Sequence, residues 1–166
     1  ERIRKHDLSP EESREAVDTI FARTLELDRR GIDVEVLTVD NHADAAYLYL
    51  KVKETQPNRA DEVYKLLRRN GGNSAGSGIV CIDPQGNLHP DQFWQSYTIG
   101  NVRQDPFSVL LSNGADPMLA ALRDRKPLLK GRCARCQFLD ICNGNLRVRA
   151  QAVYGDPWAE DPACYL

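Results

Sequence analysis

Four cysteines constrain this chain more than any other feature. Two residues separate Cys133 from Cys136, five separate Cys136 from Cys142, and twenty-one separate Cys142 from Cys164, near the end of the sequence. Two thiols in a tight loop can turn toward one ion or cluster, the next turn supplies a third, and a distant fourth closes the site and staples the tail. Three cysteines within ten residues of an otherwise cysteine-poor chain are not the pattern of ordinary buried thiols. Four thiolates suit zinc and an iron–sulfur cluster alike, and spacing alone does not choose between them. A secreted disulfide framework fits poorly, because the count of five cysteines is odd and their spacing is loose.

Charge near the cysteines adds a modest argument. Arg123, Arg125, Lys126, Lys130, Arg132, Arg135, Arg147 and Arg149 stand against Asp124 and Asp140, a local excess of six positive charges in a chain whose net charge is −2. Cations near a four-thiolate site stabilise its negative charge, and the same patch could hold carboxylates of an acidic substrate. The near-neutral whole gives no attraction to nucleic acid, and no apolar run approaches the roughly 18 to 20 residues of a bilayer span. A composition of 42% hydrophobic and 28% charged residues is that of a soluble globular protein, expected in the cytoplasm. Residues 1–7 are charged and lack both an apolar signal core and an initiator Met, so further sequence is expected upstream.

Along the chain, Ser9, Pro10 and Glu12 announce a helix start, with Val17, Ile20, Phe21, Thr24 and Leu27 on one face and Gly31 at the end. Residues 32–39 are rich in branched side chains and predict a strand ending at Asp40, Asn41 and His42, where an α/β fold presents ligand groups. Helices are expected over 45–53 and 59–69, the latter with Val63, Leu66 and Leu67 on one side. A glycine-rich stretch from Gly71 to Gly78 then marks a boundary. It lacks the lysine and hydroxyl residue of a phosphate loop. Residues 79–90 read as a hairpin around a Pro-Gln-Gly-Asn turn, followed by short helices over 107–111 and 118–122. No nucleophile triad or paired-carboxylate motif stands out.

The cysteine spacing, the hairpin and the Gly100, Asn101, Val102 element together resemble the C-terminal SPASM or twitch extension of radical S-adenosylmethionine (SAM) enzymes. Longer runs, at 40–44, 80–94, 100–106, 125–145 and 148–165, resemble the radical SAM proteins of heme d1 biosynthesis. The resemblance implies residues 1–75 as the C-terminal portion of a partial α/β barrel and 76–166 as a small cysteine-rich α+β extension. It implies an auxiliary 4Fe-4S cluster on Cys133, Cys136, Cys142 and Cys164, with SAM and a second 4Fe-4S cluster bound elsewhere in the full-length enzyme. The implied substrate is a siroheme-derived tetrapyrrole, didecarboxysiroheme, losing two propionate side chains, with ferredoxin or flavodoxin as electron donor and neither nucleic acid nor membrane as partner.

Two departures matter. The radical-generating C-x3-C-x2-C loop is absent, so this stretch alone is not expected to cleave SAM; and Leu146, Asp91 and Gln92 stand where two-cluster extensions carry further cysteines. Asp40, Asn41 and His42 are candidate cofactor or substrate contacts by fold analogy. Cys81 is expected as a buried thiol, His89 as a structural hydrogen-bonding residue rather than a tetrapyrrole contact, and His6 as surface. The rivals are a sister enzyme acting on another heme precursor or a peptide, and a non-catalytic zinc-binding module.

Overall fold

Helix α1 spans Pro10–Arg29 in the computed structural model, which describes residues 7–112 and 116–166, and it begins as its sequence dictates. The Ser9 hydroxyl accepts from the Glu12 amide while the Glu12 carboxylate accepts from the Ser9 amide, closing a capping box with proline in the first turn. The expected apolar face is only partly covered: Val17 is buried, Phe21, Thr24 and Leu27 are half-buried, and Ile20 is exposed. His6 lies outside the described residues.

Residues 32–39 do not form the expected strand. A strand needs a neighbour to take its backbone hydrogen bonds, and among the described residues none pairs with it. Leu37 and Val39 are consequently 71% and 72% exposed. Helices α2 (Ala43–Thr55) and α3 (Ala60–Asn70) come next, joined by a single 3-10 turn at Pro57–Arg59. On α3 it is Tyr64 and Leu67 that pack inward, whereas Leu66 is exposed.

The predicted hairpin is present as β1 (Cys81–Ile82) and β2 (Asn87–His89), antiparallel with Cys81 opposite His89. β3 (Gly100–Asn101) adds to the other side of β2. Short helices α4 (Phe107–Leu110), α5 (Pro117–Arg123), α6 (Leu139–Cys142) and α7 (Arg147–Tyr154) carry the chain into and past the cysteines. The protein is thus a mixed helical structure with one small antiparallel sheet, and no described helix is long and apolar enough to cross a membrane.

Two apolar clusters position the cysteine region. Val17 and Ala43 pack against Tyr165, with Phe21, Tyr47 and Cys164 at their margin; Ala46 packs against Phe138 and Ile141, with Tyr49, Tyr64, Leu67 and Cys136 around them. Burying a Phe or Ile side chain contributes about 1.5–3 kcal/mol, whereas an exposed pair such as Arg23–Glu26 on α1 contributes about 0.3–0.5 kcal/mol. Apolar packing, not surface charge, therefore fixes α2 and α3 onto the cysteine-bearing loop.

Candidate metal centre

The four cysteines come from three local structures. Cys133 opens a 3-10 turn, and Cys136 caps it with its amide bonded back to the Cys133 carbonyl. Cys142 is the last residue of α6, and Cys164 lies on the tail after α7. The turn after Cys142 is unusual: Asn143, Gly144 and Asn145 all have positive φ, at 54°, 79° and 58°. Asparagine and glycine are the residues that tolerate this conformation, and the run reverses the chain tightly enough for the Asn145 amide to bond the Cys142 carbonyl at 3.2 Å.

The glycine-rich stretch packs directly on this turn. The Asn73 amide donates to the Cys142 carbonyl at 3.2 Å, the Asn143 side chain donates to the Asn73 carbonyl at 2.7 Å, and a Cβ placed on Gly72 would lie 2.4 Å from the Cys142 backbone. Glycine is needed for close backbone approach, not for a phosphate.

Asp161 and Asn145 tie the loop to its surroundings, and neither stands out in the sequence. Asp161, fully buried, accepts from the Leu146 amide (3.0 Å), the Ala163 amide (2.8 Å) and the Arg149 guanidinium (3.1 Å). The Asn145 carboxamide accepts from the His42 amide (2.9 Å) and donates to the Asn41 side chain (2.7 Å), which in turn donates to the Ala163 carbonyl (3.3 Å). Asn41 and His42 thus brace the cysteine loop, a use that no local sequence pattern signals. Asp40, Asn41 and His42 also line a cleft of about 440 Å³ together with Asn73 and the buried Asp91, whose Oδ2 has no partner among the described residues. Burial lowers the His42 pKa, outweighing its hydrogen bond with Asn145.

The tail bearing Cys164 is pinned on both sides. Arg132 donates to the Cys164 carbonyl at 3.0 Å, Arg14 donates to the Tyr165 carbonyl, and the buried Tyr165 hydroxyl donates to Asp44 at 2.6 Å. A second cleft of about 420 Å³ opens beside Cys164, Arg149 and Asn41.

The basic residues divide: Lys126, Lys130, Arg132 and Arg149 pair with Asp140, Asp156, Glu160 and Asp161, Arg125 and Arg147 are buried, and Arg135 is exposed. His89 is buried, with Nδ1 2.8 Å from the Tyr97 carbonyl and Nε2 3.3 Å from Asp83, the structural role expected of it. Cys81 is half-buried rather than buried, because its two-residue strand lies at the sheet edge.

All five cysteines are free thiols. Burial pushes the Cys142 thiol up to about 12, and the nearby Cys164, Cys133 and Cys136 add to the rise. Burial likewise raises Cys164. The donor chemistry fits an iron–sulfur cluster: four sulfurs, and beside them a buried Arg147 whose Nε lacks a partner among the described residues. Among the described residues, however, no group of three or more His, Cys, Asp or Glu side chains is arranged to hold a single metal ion.

Comparison with known proteins gives three informative similarities. The chain is 56% identical to Fe-coproporphyrin III synthase of Methanosarcina barkeri over 96% of its own length, and 47% identical to pre-heme d1 synthase of Dinoroseobacter shibae over 98%. A shorter stretch, 54% of the chain, is 33% identical to AdoMet-dependent heme synthase of Methanosarcina barkeri. The chain spans 41% of the length of each of the first two relatives. No family model matches the chain. No solved structure matches it.

Proposed function

We propose, on the premise that this chain is homologous along nearly its whole length to synthases of heme biosynthesis, that it is the C-terminal portion of a radical SAM enzyme that remodels a siroheme-derived tetrapyrrole. Residues 1–75 belong to the C-terminal portion of a partial α/β barrel, and residues 76–166 form the SPASM- or twitch-like extension. The observation that carries the reading is that the homologous stretch gathers four thiols from three local structures, with Cys133, Cys136 and Cys164 all near Cys142.

Cys133, Cys136, Cys142 and Cys164 would hold an auxiliary 4Fe-4S cluster, which when bound supplies one-electron transfer. Similarity to synthases of heme biosynthesis supports this over a structural zinc on the same four thiolates. The chain's own part is to hold the cysteines in place: Asp161 and Asn145 hold the loop, and Arg132 holds the tail. Asp40, Asn41 and His42, at the mouth of the cleft with Asp91, remain candidates for contact with SAM or substrate.

SAM and its cleaving cluster belong to the part of the enzyme outside this chain, which has no C-x3-C-x2-C loop and is inactive alone. Ferredoxin or flavodoxin supplies electrons in the cytoplasm. The reaction is removal of two propionates from didecarboxysiroheme on the way to heme d1. A second reading, formation of Fe-coproporphyrin III, is favoured by the higher identity to the synthase of that name, 56% against 47%. The test is to incubate the full-length protein anaerobically with SAM, reductant and didecarboxysiroheme, then identify the product by mass. Pre-heme d1 supports the first reading and Fe-coproporphyrin III the second. SAM cleavage with the tetrapyrrole unchanged overturns both.

A further inference from the structure

Arg147 is fully buried. Its guanidinium donates to three backbone carbonyls, those of Gly144, Pro157 (3.1 Å) and Ala159 (2.5 Å). These bonds set it between the turn after Cys142 and the segment that leads to Cys164. The Cys133 and Cys142 thiols lie beside it, and its Nε has no partner among the described residues. No described carboxylate is within ion-pair distance, and Asp161 already accepts from Arg149 and from the Leu146 amide. A second buried guanidinium, Arg125, also rests on carbonyl and carboxamide oxygens alone, bonded to Leu122, Asn73 and Ala75.

A buried cation that lacks an anionic partner is costly, and carbonyl dipoles offset only part of that cost. The negative groups nearest Arg147 are the cysteines and Asp161, and Asp161 is already engaged by Arg149. We infer that Arg147 is the charge-compensating residue that sets the reduction potential of the site on Cys133, Cys136, Cys142 and Cys164. The inference rests on the cluster reading above. A cluster gains one negative charge on reduction, and a fixed cation in a poorly solvated site stabilises that form more than the oxidised one. Arg147 therefore raises the potential, and its three carbonyl anchors prevent it from swinging away to solvent.

The experiment is a potentiometric titration followed by EPR on the full-length protein, with the cysteines of its radical-generating loop replaced so that only this chain's cluster reports. Arg147→Gln is expected to keep its iron and to shift the midpoint downward. Arg147→Lys, which retains charge, stays near wild type, and so does Lys130→Gln, which removes an exposed charge from the same segment. An unshifted midpoint in iron-loaded Arg147→Gln, or an equal shift in Lys130→Gln, overturns the inference. Should Arg147→Gln fail to load iron, isotopically labelled arginine in the protein that retains Arg147 decides. A nitrogen coupling to the reduced cluster that Arg147→Lys loses supports the role, and no coupling overturns it. A parent protein that binds zinc and no iron at these cysteines defeats the cluster reading instead.

Discussion

Asp161 has no exposed surface, yet it satisfies two backbone amides and the Arg149 guanidinium between Cys142 and Cys164. Replacing it by Ala leaves a charged partner and two donors without an acceptor, and is expected to cost about 2–4 kcal/mol in denaturant unfolding. A cost within experimental error would show that the tail is held by its apolar contacts alone. Asp83 works at the hairpin turn, accepting from the Gln85 and Asn87 amides, the Asn87 side chain and His89. Burial pushes its carboxyl up, but these hydrogen bonds outweigh burial and hold it at about 2, against an ordinary 3.8. Because the folded pKa lies below the unfolded one, the carboxylate's contribution is complete above about pH 4 and is lost as pH falls through about 2. Amide exchange at Asn87 should report this loss, and Asp83→Asn should abolish the pH dependence. At this scale the sequence revealed thiols and turn residues, whose chemistry is local. It concealed Asn145, Asp161 and Arg147, whose roles depend on partners up to 104 positions away.

Elements with their own punctuation were legible. The capping box of α1, the hairpin around its four-residue turn and the glycine end of α3 each arise from residues adjacent in sequence. Of the short helices, α4 and α5 were anticipated and α6 and α7 were not; segments of four to eight residues carry little periodicity, and tertiary packing decides their form. The glycine-rich stretch was visible in the sequence, but the reason for its glycines is tertiary. Gly72 has φ of +70° and its Cα faces the Cys142 backbone. Gly72→Ala must combine left-handed strain with a backbone clash, so we expect a destabilisation of about 2–5 kcal/mol and a loss of bound iron. Gly71→Ala, whose Cβ would meet little, should suffer only the conformational strain and keep its iron. Equal iron content in the two variants would contradict the packing of this turn on the cysteine loop.

For the whole molecule, the clearest misfit between sequence pattern and structure is the run 32–39, whose apolar side chains stand exposed without a sheet partner. Backbone and side chains that await a neighbouring strand invite association. The 166-residue chain by itself is expected to self-associate in light scattering, and Leu37→Glu with Val39→Lys should make it monodisperse; a monodisperse parent chain would remove the case for a barrel strand there. The central claim is that four cysteines of this stretch hold an iron–sulfur cluster. Its most direct test is the iron, sulfide and zinc content of the anaerobically purified full-length protein beside its Cys142→Ala variant. We predict that the variant loses about four irons and four sulfides per chain, with a matching fall in visible absorption. One zinc lost in place of iron, or metal content unchanged by the substitution, would contradict it.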